Sequence, residues 1–273
     1  MATTEGRDWI ADYQVVRPLG PPGPRTKAFL ALAPSRLHDA PHEVAIHLLD
    51  ADPTRFALAV EHLRAVAAAR SPRIVTLIEA GRDEREEPVA YFATNYQERG
   101  SLANRAPTGI RARLRALAQA ARGLHDLHQA GRVYGTVSPG SVLLGDDMAL
   151  LAVPQPPSPL EVGETVMADP TDRLETVDPA VIRGEGRSRA TDLWSLGATI
   201  HLVLAQRSLH PGLASDDPLT AVQRVLFEPP AIDVRLPPDQ AAVIASCLQP
   251  NPEDRPASAE DVAASLEALA AAR

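Results

Sequence analysis

The sequence predicts an α+β fold of two lobes, a small lobe over residues 1–96 and a larger, mainly helical lobe over residues 97–273. Two observations support this prediction. Short apolar runs separated by Gly- and Pro-rich turns fill the first part of the chain, as strands do. From Gly100 onward, apolar residues recur at helical spacing between recognisable helix start and stop signals. At about 150 residues per domain, the length suits one bilobal domain.

In the small lobe we predict five strands and one helix. The helix, over residues 54–70, carries apolar residues at helical spacing and stops before Ser71-Pro72. The strand-like runs cover residues 13–19, 28–33, 43–49, 74–78 and 89–94, the last two around an acidic turn.

In the large lobe the helical pattern dominates. A hairpin is predicted at Gly145-Asp146-Asp147, between apolar segments at 142–144 and 149–153. The final helix opens with Ser258 and Asp261 in a capping-box pattern. The predicted helices cover residues 110–130, 190–205, 218–227, 238–248 and 258–272.

Composition and charge exclude several functions. A formal net charge of −8 argues against bulk binding to nucleic acid or to anionic membranes, which need excess basic residues. No apolar run approaches the roughly 20 residues of a membrane span. The single cysteine, Cys247, permits no internal disulfide and suggests the cytoplasm, with the chain either free there or the cytoplasmic domain of a longer protein. Only one of the 27 Lys and Arg residues is a lysine, Lys27.

Four stretches resemble the Ser/Thr protein kinase domain of the bacterial, eukaryotic-type kind. They are HEVAIHLLD (42–50), GRVYGTVSPGSVLL (131–144), ATDLWSLGATIHLVLAQRSLHPG (190–212) and NPEDRPASAEDV (251–262). The first resembles the third strand of the small lobe and the second the catalytic loop. The last two resemble the central helix and the closing Arg-Pro motif of the large lobe. The resemblance spans nearly the whole chain and implies a protein-kinase-like fold.

The catalytic loop of that family reads H-R-D-x-K-P-x-N, and this chain reads YGTVSPGS. By this resemblance Thr136 stands where the substrate-orienting aspartate belongs. Ser138 replaces the helper lysine, and Ser141 replaces the metal-binding asparagine. Phosphoryl transfer depends on such groups to orient the attacking hydroxyl and hold metal ions, so we predict that the reacting groups are lost.

The positions that bind phosphates and metal also depart from the family. The glycine loop reads GPPGPR (20–25), whose prolines remove N–H donors. His47 stands in place of the lysine of V-A-I-K, and His62, beside Glu61, in place of its glutamate partner. The two histidines either fill a vacated pocket or form a metal-binding or pH-sensitive pair. The aspartate of D-F-G falls near Val153, and we predict no metal site.

The adenine side of the cleft is closer to the family pattern. By resemblance, Ala45 and Leu143 would sandwich a base, and Thr94 would be the gatekeeper. Asn95 and Gln97 would lie in the strap that joins the lobes. These residues can equally be core or linker residues, so nucleotide binding without transfer stays an open alternative.

Packing positions of the family are kept. Asp192 matches the aspartate that accepts main-chain amides of the catalytic loop, and Trp194 and Gly197 match its packing partners. Arg255 matches the arginine that pairs with the glutamate of A-P-E. Because that motif reads Asp178-Pro179-Ala180 here, we expect Arg255 to lack the usual partner and to find another acid or a carbonyl.

The sequence therefore favours a catalytically inactive kinase-like domain, a pseudokinase, that acts as a protein-binding scaffold or regulator in Ser/Thr kinase signalling, without a cofactor. The expected partner is a kinase, a phosphothreonine-reading module or a domain of the parent protein. The alternative is a weakly active or nucleotide-binding atypical Ser/Thr kinase, whose phosphate-binding lysine would be Lys27, near the glycine loop, as in with-no-lysine kinases.

Overall fold

A six-stranded antiparallel sheet with one helix against it forms the first part of the molecule. A computed structural model describes residues 8–19, 28–49, 52–85, 88–154, 174–213 and 217–272. The sheet order is β1-β2-β3-β4-β6-β5. Its strands are β1 (Trp9–Ile10), β2 (Tyr13–Pro18), β3 (Ala28–Leu32), β4 (Glu43–Leu49), β5 (Leu77–Asp83) and β6 (Val89–Asn95).

Helix α1 (Pro53–Ala68) follows β4 and begins where the sequence provides a cap. The Asp52 carboxylate accepts the main-chain N–H groups of Thr54 and Arg55, and Pro53 occupies the first turn, where its missing N–H costs nothing. Leu63 and Val66 are buried and join Phe92 of β6 in the larger core. The opposite face of the sheet packs a second core around Tyr13 and Ile46.

Helices make up most of the described chain after β6. They are α2 (Leu102–Arg105), α3 (Ile110–Gln129), α4 (Pro179–Ile182), α5 (Arg189–Ala205), α6 (Pro218–Phe227), α7 (Pro238–Cys247) and α8 (Ala259–Ala271). A hairpin of β7 (Val142–Leu144) and β8 (Ala149–Leu151) lies between α3 and α4. None of the helices in the described ranges is long and apolar enough to cross a membrane. The α+β prediction, a strand-rich part followed by a mainly helical part, is confirmed.

One predicted strand is wrong. Residues 74–78 were expected to form a strand, but the sheet strand starts at Leu77 and runs through the predicted acidic turn to Asp83. Leu151 explains the shift, because its N–H donates to Arg73 and its carbonyl accepts from Val75, which ties this segment to β8. Acidic residues are tolerated in β5 because the Glu79 carboxylate accepts from Tyr13 and Arg36.

Candidate functional site: the loop of residues 134–141 and its surroundings

Helix α5 holds the loop of residues 134–141, which resembles a catalytic loop. Every residue from Thr191 to His201 is buried. The Asp192 carboxylate, fully buried, accepts the main-chain N–H groups of Tyr134 and Gly135, each at 2.7 Å. His128 Nε2, on α3, lies 2.8 Å from the same carboxylate. One acidic side chain therefore joins α3, α5 and the loop.

Two further side chains of α5 contact the loop one and two turns later. The Ser195 hydroxyl accepts the Val137 N–H at 2.9 Å, and the Thr199 hydroxyl donates to the Val137 carbonyl at 3.0 Å. We call Asp192, Ser195 and Thr199 the loop anchor. Sequence reasoning identified Asp192 but missed the other two, although spacings of three and four residues put all three on one helix face.

The hydroxyls of Thr136 and Ser141 bond to the loop itself. Thr136 Oγ1 donates to the carbonyl of Gly135 at 2.6 Å. Ser141 Oγ accepts the Ser138 N–H and donates to the Ser138 carbonyl, at 2.9 and 2.8 Å. Neutral hydroxyls engaged in this way supply no carboxylate to orient a substrate and no amide oxygen for a metal ion.

His47 lies on β4 with its ring stacked on Phe92, at 4.6 Å between ring centroids and an interplanar angle of 10°. Its Nε2 is 3.5 Å from Thr94 Oγ1. Burial lowers the pKa of His47 to about 4. The ring is therefore neutral at physiological pH and offers no positive charge to a phosphate.

His62 lies on α1 and has other neighbours. Burial lowers its pKa, the positive charge of Arg132 lowers it further, and a hydrogen bond with the Pro154 main chain opposes these effects. Among the described residues, its Nε2 has no hydrogen-bond partner. Because His47 contacts Phe92 and His62 contacts the start of the segment after β8, the geometry gives no support to a shared metal site.

Val153, Asp146 and Asp147 are the candidates for the position of the D-F-G aspartate, and they lie in different surroundings. Val153 is 6% exposed and belongs to the larger core. Asp146 and Asp147 are exposed in the turn between β7 and β8. In the ranges that the structure describes, no group of three His, Cys, Asp or Glu residues is placed to hold a metal ion. Lys27 and the glycine-loop remnant (20–25) lie outside those ranges.

Only some of the residues predicted to form the adenine pocket have side chains that are not buried. Ala45 pairs with Thr94 across β4 and β6, and both side chains are buried. Leu143 is half-buried on β7, where it bridges to Ser101. Asn95 donates its N–H to the carbonyl of Thr76, and Gln97 closes a turn with Gly100.

Arg187, which sequence reasoning missed, lies beside Gly135. By the resemblance, Gly135 stands where the catalytic-loop arginine of the family belongs. Gly135 has φ +104°, and a Cβ there would lie 2.9 Å from Arg187 Nη1. The guanidinium of Arg187 therefore occupies space beside the loop that an ordinary side chain would need. Nothing in the sequence places a residue 52 positions away at this point.

Arg255 finds another acid and two carbonyls in place of the usual glutamate, as the altered motif leads one to expect. Its Nη1 lies 2.6 Å from Asp178 Oδ2, and both side chains are buried. Nη1 also donates to the Ala190 carbonyl and Nε to the Gln249 carbonyl. The guanidinium lies 5.1 Å from the Trp194 ring centroid. Asp178 stands two residues earlier than a glutamate of A-P-E and can replace it.

Gly197 is required by close packing of α5 against α7. A Cβ at this position would overlap the Cβ of Cys247. Burial raises the pKa of the Cys247 thiol to about 12, so it stays protonated and unreactive. Trp194, 5% exposed, packs in the same core.

Comparison with solved structures identifies the fold. A crystal structure of the Mycobacterium tuberculosis PknI kinase domain superposes with a TM-score of 0.67, covering 96% of this chain and 97% of that one at 21% identity. A second crystal structure of that domain gives a TM-score of 0.66 over 98% and 99% of the two chains, also at 21% identity. The chain therefore has the protein kinase fold.

Sequence comparison adds homologues among bacterial Ser/Thr protein kinases. Serine/threonine-protein kinase PknK of Mycobacterium bovis is 28% identical over 205 residues, 71% of this chain. The DNA damage-responsive serine/threonine-protein kinase RqkA of Deinococcus radiodurans is 26% identical over 195 residues, 67% of this chain. The matched regions are only 18% and 28% of those relatives. No protein-family profile matches the chain.

Proposed function

We propose that this chain is a pseudokinase domain, which keeps the protein kinase fold, binds a protein partner and transfers no phosphate. The observation that supports it most is the loop of residues 134–141. Its main chain is held by the loop anchor, while the three positions that should carry reacting groups hold Thr136, Ser138 and Ser141. The position of the loop is retained and its chemistry is not.

The charges that phosphoryl transfer needs are also missing from the described cleft. The γ-phosphate requires cations on its oxygens, normally a lysine and one or two metal ions. His47 is neutral near pH 7, and Val153 offers no oxygen ligand. A missing metal ion alone costs several kcal/mol of transition-state stabilisation, so weak activity by another arrangement is disfavoured.

A binding role follows from what the fold retains. Buried networks around Asp192 and Arg255 maintain the large lobe although its transfer chemistry is gone. We propose that the partner is a kinase, a phosphothreonine-reading module or another domain of the parent protein, and that the domain acts in the cytoplasm. The absence of a disulfide partner for the buried Cys247 supports that location.

The test is a phosphate-transfer assay combined with thermal unfolding. The purified chain is incubated with Mg²⁺ and γ-labelled ATP, alone and with a generic protein substrate, beside an active Ser/Thr kinase domain as positive control. We expect no transfer above a protein-free blank. Transfer by the wild type that Lys27→Ala abolishes, while Arg25→Ala does not, would overturn the proposal in favour of an atypical kinase.

Thermal unfolding with ATP, in Mg²⁺ or in EDTA, separates the binding modes. A ligand at 100 times its Kd adds about 2.7 kcal/mol, or about 5 °C or more for a chain of this size. We expect no shift that depends on Mg²⁺. A shift of equal size in Mg²⁺ and in EDTA would indicate a retained adenine pocket without a metal site. A shift that needs Mg²⁺ would contradict the interpretation of Ser141 and Val153.

A further inference from the structure

A groove of about 350 Å³ lies beside the strap that connects the sheet to the helical part. Residues just before β4, the strap (96–99) and the turn between β7 and β8 form its walls. Of the residues predicted for the adenine pocket, its lining includes Gln97 but not Ala45, Thr94, Asn95 or Leu143, so the groove adjoins that pocket at the strap without coinciding with it. The volume lies at the lower end of the range for ligand sites, about 300–1,000 Å³. We call it the strap groove.

The walls of the strap groove are held in place by hydrogen bonds. Arg99 Nη1 donates to the carbonyls of Gly145 and Asp146, at 3.3 and 3.1 Å. Arg17 Nη2 donates to the Tyr96 hydroxyl at 2.8 Å, which orients that ring. The Leu144 N–H donates to the Gly100 carbonyl at 2.8 Å. A groove with walls already in position loses little entropy when a ligand enters.

The charge of the strap groove is negative. Glu43, Glu98 and Asp146 line it, and the basic groups among its described lining are His42 and Arg99, whose guanidinium already donates to two carbonyls. Within the described ranges, the carboxylates of Glu43 and Glu98 make no hydrogen bond or ion pair. The whole chain adds to this field with its net charge of −8. Such a field attracts cationic partners and speeds their association.

The apolar part of the lining suits the stem of a basic side chain. The ring of Tyr96 and the side chain of Leu144 are half-buried between the carboxylates. An arginine can lay its methylene groups on such a surface and reach a carboxylate with two parallel N–H groups. Lysine can use the same stem contacts but lacks this planar fork. The guanidinium of Arg17 already lies 6.0 Å from the centroid of the Tyr96 ring, so the proposed contacts do not include stacking on that ring.

We propose that the strap groove binds a short arginine-rich segment of a protein partner. The proposed ligand specifies the chemistry of the protein partner in the function proposed above. It rests on that function only in assuming that such a partner exists. Because the walls come from both sides of the strap, a bound segment would contact the sheet part and the β7–β8 hairpin together.

The test begins with selection from a random phage-displayed library of 12-residue peptides on the immobilised chain, without nucleotide. We expect a consensus with two or more arginines. A selected peptide, labelled with fluorescein, is then titrated by anisotropy against the wild type, the double variant Glu43→Gln/Glu98→Gln and the matched control Glu61→Gln/Glu253→Gln. Both control residues are exposed and lie outside the groove, and the change in net charge is the same.

We expect the groove variant to weaken binding at least tenfold and the control less than twofold. Replacing the arginines of the peptide by glutamine should abolish binding. Equal weakening by both variants would mean non-specific attraction to an acidic protein and would overturn the proposal. A consensus without basic residues, or wild-type affinity in the groove variant, would overturn it as well.

The outcome is separable from that of the transfer assay. Peptide binding is measured without ATP, so a chain that transfers phosphate and also binds the peptide refutes the pseudokinase proposal alone. An inactive chain whose groove binds no basic peptide refutes the strap-groove proposal alone. Hydrogen exchange gives an independent check, since the bound peptide should protect amides of residues 96–99 and leave those of α8 unchanged.

Discussion

Replacing Asp192 by alanine tests whether one buried carboxylate holds the loop in place. The carboxylate accepts N–H groups from Tyr134 and Gly135 and lies within hydrogen-bond distance of His128 Nε2. Its removal leaves three buried polar groups without a partner. Each such loss costs about 1–3 kcal/mol, and local relaxation lowers the sum. We expect Asp192→Ala to reduce the free energy of unfolding by about 4 kcal/mol.

Urea unfolding followed by tryptophan fluorescence measures the loss. Trp9 and Trp194 are the only tryptophans of the chain. A Trp9→Phe background leaves Trp194, which is buried two residues after Asp192, as the reporter of the helical part. Free energies follow from linear extrapolation, and the comparison holds only if the slope with urea is the same in all variants.

Two variants sharpen the comparison. Asp192→Asn keeps one acceptor oxygen but points an amide N–H at a main-chain donor, so we expect about half the loss of the alanine variant. Asp254→Ala removes an exposed carboxylate of the same lobe and should change the free energy of unfolding by less than about 0.5 kcal/mol. A loss below about 1 kcal/mol for Asp192→Ala would refute the reasoning, because the three donors would then have found other partners.

Three further changes test separate features by the same unfolding assay. Gly197→Ala forces a Cβ against Cys247 and should cost about 1–3 kcal/mol; a neutral effect would contradict the close packing. Arg255→Met leaves the Asp178 carboxylate buried without its cation and should cost about 3 kcal/mol or more. Adding Asp178→Asn should restore part of that loss, and no recovery would argue against the ion pair. Burial holds the pKa of His47 near 4, below its unfolded value of about 6.5. As pH falls from 6.5 toward 4, the unfolded chain therefore gains a proton that the native state does not, and stability falls by up to about 1.4 kcal/mol per pH unit. His47→Gln should make this slope shallower, and parallel slopes would contradict the assignment.

The sequence could predict elements whose limits are set by local chemistry. The strand Glu43–Leu49 and the helix Pro218–Phe227 have the predicted bounds. The helix starts at an Asp217 cap with proline in its first turn, and both signals are local. Strand β5 could not be placed this way. Its start depends on Leu151, more than 70 residues away, which pairs with the segment that precedes it.

The same distinction between local and long-range features applies to the candidate site. The type of residue at 136, 138 and 141 can be read from the chain, and this alone predicts which reacting groups are missing. The partners of these and neighbouring side chains cannot be read in that way. Asp178 reaches Arg255 across 77 residues, and Arg187 fills the space beside Gly135 only because the fold brings the two segments together.

The loop anchor also limits how this domain can move. Since three side chains of α5 hold main-chain groups of Tyr134, Gly135 and Val137, the loop cannot shift without breaking four hydrogen bonds to that helix. Its amides should therefore exchange with solvent only in the same slow, large-scale openings as those of α5. A conformational signal in this domain would therefore have to involve the sheet or the strap (96–99), while the loop and α5 keep their positions.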